Sequence, residues 1–171
     1  MNAVEELQSI LAAHNYGLGN LKACVDWAVE RLSRNDDDSD EDVILLASSS
    51  EESETEELSR KIVSRYLRPD ALNEELWAGR LLVNLYDRYR AGTISIIALE
   101  PIVDTMFRKL GYPDWLVMLT RNCEYATDVE LFVKPFEDEF QYIGELWRQS
   151  PTTRAFESKY DRRVSNTHDI Q

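Results

Sequence analysis

The stretch NEELWAGRLLVNLYDRYRAG, residues 73–92, decides the fold of this chain. Its apolar side chains recur at the three- and four-residue spacing of one helical face. They are Leu76, Trp77, Leu81, Leu85 and Tyr89. Asn73 followed by two glutamates is typical of a helix start, and Gly92 is typical of a helix end. The pattern therefore predicts the longest and most hydrophobic helix of the chain, at the centre of its core.

Stretches with the same helical spacing lie on both sides of this central helix. They run through residues 4–11, 21–34, 53–66, 93–110, 115–122 and 135–147. Two segments are ambiguous: Val43 to Ala47 fits a short helix or a buried strand, and VELFV at 129–133 fits a strand or one helical turn. Because no other segment resembles a strand, we expect an all-α fold. It is predicted as a compact single-domain helical bundle, or a short helical array, of about seven or eight helices.

Length and composition favour one helical domain. With 171 residues, 43% of them hydrophobic, the chain can bury a substantial core. We assign the helical domain to residues 1–149 and a polar tail to residues 150–171. The N-terminus lacks the pattern of a signal peptide and no apolar run has the length of a membrane span, so a cytoplasmic location is expected. Cys24 and Cys123 are then predicted to be free thiols in the core.

The negative charge is concentrated in DDDSDEDVILLASSSEESETEE, residues 36–57, which we call the acidic arm. It contains eleven carboxylates and no Lys or Arg, whereas the whole chain has 19 basic and 32 acidic residues. The carboxylates are Asp36, Asp37, Asp38, Asp40, Glu41, Asp42, Glu51, Glu52, Glu54, Glu56 and Glu57. The apolar run from Val43 to Ala47 separates two clusters and is predicted to anchor the arm, with both clusters exposed.

This concentration of charge indicates a basic protein partner. Eleven like charges in one segment repel each other, and solubility alone would tolerate them spread over the surface. A solvated loop without further function is the alternative. The sequence pI of about 4.6 argues against nucleic acid and anionic membranes as partners, because clustered Lys and Arg bind phosphates.

The chain offers few residues for catalysis. His14 and His168 are its only histidines, and neither belongs to a motif that would activate a nucleophile. The NYGLGN segment, residues 15–20, lacks the preceding strand and the closing Lys of a phosphate-binding loop, so we predict a turn between helices. We therefore expect no enzymatic activity and no cofactor.

Metal binding is not expected either. The sequence has no HExxH motif and no Cys/His cluster. The alternating aspartates that begin at Asp36 resemble the start of a calcium loop. Such a loop requires Gly at its sixth position and Glu at its twelfth, where this chain has Glu41 and Ala47.

Several packing motifs resemble those of a known family. They are VDWAVERL at 25–32, the LW pair at 76–77 and LEPIVDTMFRKLGYPDWL at 99–116. They resemble a family of uncharacterised bacterial immunity proteins of polymorphic-toxin and contact-dependent growth inhibition systems, over about residues 18–147. The resemblance implies a cytoplasmic protein that binds one cognate toxin C-terminal domain, often a nuclease, and blocks it. It assigns no binding residue, so the acidic arm as toxin-binding surface rests on charge alone.

Two functions are compatible with these observations. The first is an immunity protein whose eleven arm carboxylates steer it into the basic cleft of a nuclease toxin. The second is a non-enzymatic helical adaptor for another basic protein, with the serines among the arm carboxylates as possible phosphorylation sites.

Overall fold

The computed structural model describes residues 2–34 and 40–168 of the chain. Within these residues the backbone forms nine α-helices, two short 3-10 helices and no strand. The all-α prediction is therefore confirmed. The helix number exceeds the predicted seven or eight because the last helix, Thr153–His168, lies in the segment that we assigned to a polar tail. The chain divides into two compact units, Met1–Asn73 and Glu74–Gln171, and the assignment of residues 1–149 to one domain stays a prediction.

The first unit is built from four α-helices. They are α1 (Ala3–Asn15), α2 (Lys22–Ser33), α3 (Glu41–Ser48) and α4 (Glu52–Tyr66), followed by a 3-10 turn at Pro69–Leu72. Helix α1 packs on α2 and α4, and α3 packs on the same two helices. Each helix contributes fully buried side chains to one core, among them Leu7, Cys24, Leu46 and Ile62. The short helix α3 is therefore an integral part of this unit.

The apolar run from Val43 to Ala47, which fits a helix or a strand in the sequence, lies in helix α3. The helical period puts Val43 and Leu46 on one face, and both are buried in the core of the first unit. Asp40 caps the helix, since its carboxylate accepts a hydrogen bond from the backbone N–H of Asp42 at 3.0 Å. The predicted anchor is confirmed, and the alternative of a buried strand is wrong.

The connection between α1 and α2 is the predicted turn between helices. Helix α1 ends at Asn15 and Gly17 follows with φ of 75°, a conformation that glycine adopts without strain. The pattern around Asn20 suggests that it caps α2, but this is wrong. The residue before the helix is Leu21, and no side chain caps the first turn.

The second unit contains the central helix of the sequence pattern. Its helices are α5 (Glu74–Arg90), α6 (Ile96–Lys109), α7 (Asp114–Asp128), α8 (Val133–Arg148) and α9 (Thr153–His168), with a 3-10 turn at Glu130–Phe132. Helix α5 packs on α6 and α8, α7 packs on the same two helices, and α9 packs on α8. Helix α5 is the longest of the described helices, as predicted. Leu82 is fully buried in it, whereas Leu81 is only half-buried.

Close packing between α5 and α8 depends on glycine. A Cβ atom at Gly79 would lie 2.2 Å from the Trp147 ring. The same ring stacks on Phe156 of α9, with centroids 3.8 Å apart and planes 10° from parallel. It also meets Trp115 of α7 edge to face at 5.3 Å. Trp147 therefore joins four helices, and Phe156, only 1% exposed, docks α9 on the unit.

We predict that Gly79→Ala lowers the free energy of unfolding by at least about 2 kcal/mol, because the new methyl group overlaps a ring that is packed on three sides. Urea denaturation followed by circular dichroism measures the effect. Gly19→Ala is the matched control, since its Cβ would lie 3.9 Å from the nearest atom. Equal stability of the two variants would contradict the packing described above.

Candidate functional site

Eight of the eleven arm carboxylates fall within the described residues. Asp36, Asp37 and Asp38 lie outside them. The eight occupy the start of α3 and the first turns of α4, where the positive end of a helix dipole favours negative charge. Their environments differ: two form a paired group, five form an exposed group, and Glu56 is half-buried.

Asp40 and Asp42 form the paired group. Both are buried, so the prediction that the first carboxylate cluster is exposed is wrong for these two residues. Asp40 accepts hydrogen bonds from the Arg65 guanidinium at 3.2 Å and from the Tyr66 hydroxyl at 2.5 Å. Asp42 accepts one from Lys61 Nζ at 2.7 Å and forms a second ion pair with Arg65. The cations belong to α4, so this network fastens the start of α3 to the end of α4.

The network keeps Asp42 ionised. The hydrogen bond from Lys61 lowers the pKa of Asp42 below its ordinary value of 3.8. The hydrogen bond and charge of Arg65 also lower this pKa, whereas burial raises it. The hydrogen bond with Asp42 raises the pKa of Arg65 in turn. Because cations of the same chain neutralise Asp40 and Asp42, these two carboxylates add little to the open negative surface.

The exposed group consists of five glutamates, namely Glu41, Glu51, Glu52, Glu54 and Glu57. Glu54 also accepts a hydrogen bond from the Ser49 hydroxyl at 3.1 Å. Glu56 is half-buried and pairs with Arg60 at 2.7 Å one turn further along α4. The structure thus places five of the predicted steering residues on the surface of the first unit, on two neighbouring helices.

A cleft of about 500 Å³ lies beside the exposed glutamates. One wall is the start of α2, including Leu21, Val25 and Asp26, and the other is the turn from α3 to α4, including Glu52. Hydrogen bonds of Thr55 fix this turn, one with the Ser49 hydroxyl and one to the Glu51 carbonyl, both 2.8 Å long. The sequence pattern does not reveal this cleft, because its walls come from segments more than twenty residues apart.

Groups that could support other chemistry are buried or scattered. In the part of the chain that the structure describes, no three His, Cys, Asp or Glu side chains are grouped so that they could hold a metal ion. Cys24 and Cys123 are free and buried, as predicted. Burial raises the pKa of the Cys123 thiol to about 12, so it stays protonated at neutral pH. None of the described helices has the length and hydropathy that a membrane crossing requires.

Known proteins offer no direct comparison for this site. No protein-family model, no curated protein and no solved structure matches the chain. The resemblance to immunity proteins therefore stays a prediction, and the function has to be argued from the site itself.

We predict that Asp42→Asn lowers the free energy of unfolding by about 1 kcal/mol at neutral pH, since both cations that pair with Asp42 are partly exposed to water and screened by it. Because the pKa of Asp42 is lower in the folded chain, its carboxylate stabilises the fold above pH 3.8, and this stabilisation is lost as the pH falls through the folded value.

Thermal unfolding at a series of pH values tests this expectation. The difference between the native chain and Asp42→Asn should shrink in acid. Glu57→Gln removes an exposed charge from the same unit and should change stability little at any pH. A constant difference down to strongly acidic pH would show that Asp42 does not act through its charge.

Proposed function

We propose that this chain is an immunity protein that binds a cognate bacterial toxin domain, a nuclease, and neutralises it through its acidic surface. The observation that carries the proposal is the group of five exposed glutamates on α3 and the start of α4. A nuclease needs a basic cleft to hold the phosphates of its substrate. Carboxylates placed in that cleft satisfy the same cations and exclude the nucleic acid.

The way in which α3 is held supports this role. Val43 and Leu46 on one side of the helix are buried in the core. The ion pairs of Asp40 and Asp42 join its first turn to α4. Glu41 and the glutamates of α4 therefore project from ordered helices. A surface that is ordered before binding loses less conformational entropy when a partner docks, so more of the electrostatic attraction contributes to affinity.

The proposed inhibitor acts by occupying its partner, so it requires no catalytic group, cofactor or metal. Long-range attraction between the glutamates and a basic cleft would make association fast and sensitive to salt. The cytoplasm is the proposed location, since a nuclease toxin acts on nucleic acid there. A helical adaptor for another basic protein would use the same surface without protecting the cell.

Co-expression tests the proposal directly. The toxin domain encoded by the open reading frame that precedes this gene should arrest bacterial growth, and this chain should restore growth through a one-to-one complex. Growth arrest that persists despite co-expression would refute the immunity function. Capture of a basic protein other than a toxin would then favour the adaptor.

We predict that changing Glu51, Glu52, Glu54 and Glu57 together to glutamine lowers the association rate with the toxin domain by about ten-fold or more at low salt, because long-range attraction sets that rate. Stopped-flow fluorescence at several salt concentrations measures it, and the rate of the variant should depend less on salt. An unchanged rate at low salt would rule out the steering role.

A matched control removes the same number of exposed carboxylates from the second unit. It changes Glu74, Glu124, Asp128 and Glu130 to their amides. Both variants alter the net charge of the chain equally, so a specific effect of the α4 glutamates appears as a difference between them.

A further inference from the structure

The exposed face of α3 carries large apolar side chains among its polar ones. Glu41, Ile44, Leu45 and Ser48 follow the spacing of one helical face, and all four are exposed. Ile44 is 46% exposed and Leu45 is 44% exposed. The opposite face of α3 supplies the buried contacts with the core, and nearly half of each of these two aliphatic side chains stays open to solvent.

Helix α2 packs beside α3 and also carries an exposed apolar side chain. Val29 on α2 is 47% exposed. The start of the same helix forms a wall of the cleft, where the half-buried Val25 supplies apolar surface and Leu21 is only 3% exposed. The cleft volume of about 500 Å³ is large enough for a bulky side chain, and most of the lining residues are polar. We call the exposed parts of α2 and α3, together with the cleft, the α2–α3 face.

Negative charge borders the α2–α3 face. Asp26 and Glu52 line the cleft, and Glu51 and Glu54 belong to the adjoining first turn of α4. Lys22 also lines the cleft and pairs with Asp26 at 2.7 Å, so Asp26 adds little net charge and the negative border is supplied by Glu51, Glu52 and Glu54. The surroundings of the apolar side chains are therefore acidic, and they favour a partner that is both apolar and basic.

We propose that the α2–α3 face docks a basic segment of the protein partner, in which large apolar side chains alternate with Arg or Lys. One apolar side chain enters the cleft against Val25, and others cover Ile44 and Leu45. The cations of the segment meet the carboxylates at the rim. This inference rests on the proposed function and deepens it, since it adds an apolar anchor of the kind that dominates binding energy to the electrostatic attraction.

The charge of the face decides between possible occupants. Nucleic acid and anionic lipid would meet carboxylates such as Glu51 and Glu52, and both would be repelled. A second copy of this chain, docked symmetrically, would bring the same glutamates face to face. A basic segment is the occupant that gains from both the apolar and the acidic parts.

Two synthetic peptides test the inference on the full chain. Both carry the same number of arginines, and leucines separate the arginines in one peptide while glycines separate them in the other. Isothermal titration calorimetry at low salt should show that the leucine peptide binds about ten-fold more tightly, because only leucine can bury apolar area on the face. Equal affinity of the two peptides would overturn the inference.

Exposed apolar residues provide matched variants. The double variant Ile44→Ser with Leu45→Ser should lose most of the preference for the leucine peptide, because only the cleft can then still cover a leucine side chain. The control, Ile97→Ser with Leu131→Ser, removes side chains that are 72% and 85% exposed in the second unit and should keep the preference for leucine. Circular dichroism verifies that both variants are folded. A preference in Ile44→Ser with Leu45→Ser that is as large as in the native chain would overturn the inference.

The proposed function can fail separately from this inference. The variant with Glu51, Glu52, Glu54 and Glu57 changed to glutamine should bind both peptides more weakly, while the preference for the leucine peptide persists. If the toxin domain binds Ile44→Ser with Leu45→Ser as tightly as the native chain, the apolar anchor is refuted and the immunity function stands. If co-expression does not restore growth but the preference for the leucine peptide depends on Ile44 and Leu45, the immunity function is refuted and the docking face stands.

Discussion

The ion pairs that join Asp40 and Asp42 to Lys61 and Arg65 hold the start of α3 against the end of α4. Helix α3 has only eight residues, and an isolated helix of that length is unstable in water. Its burial through Val43 and Leu46 and its attachment to α4 therefore supply the stability that its own hydrogen bonds cannot. The glutamates and aliphatic side chains of the exposed surface depend on this attachment for their positions.

The same network explains how one unit accommodates so much negative charge. Carboxylates close to the core are matched by cations of α4, whereas the unmatched ones lie in water, where repulsion is weak and the helix dipole is favourable. Neutralisation within the chain thus separates carboxylates that hold the fold from carboxylates that can attract a partner. Net charge alone does not distinguish these two groups.

Helical spacing predicts most of this fold, because each helix buries one face and the 3.6-residue period leaves a pattern in the sequence. The pairing of Asp40 and Asp42 is not predictable in this way, since their partners lie 19 to 25 residues away and the contact depends on how α3 packs on α4. The sequence pattern does not predict helix α9 for a related reason. Its sequence is polar, and its docking depends largely on one aromatic residue, Phe156, stacked on Trp147.

The two faces of α3 are under different constraints. Substitution of Val43 or Leu46 disturbs the core, but Glu41, Ile44, Leu45 and Ser48 are exposed, and surface changes of this kind alter stability little. Substitutions can therefore accumulate on one side of the helix while the other side preserves the fold. Related chains would then be expected to vary more at these four positions than at the buried ones.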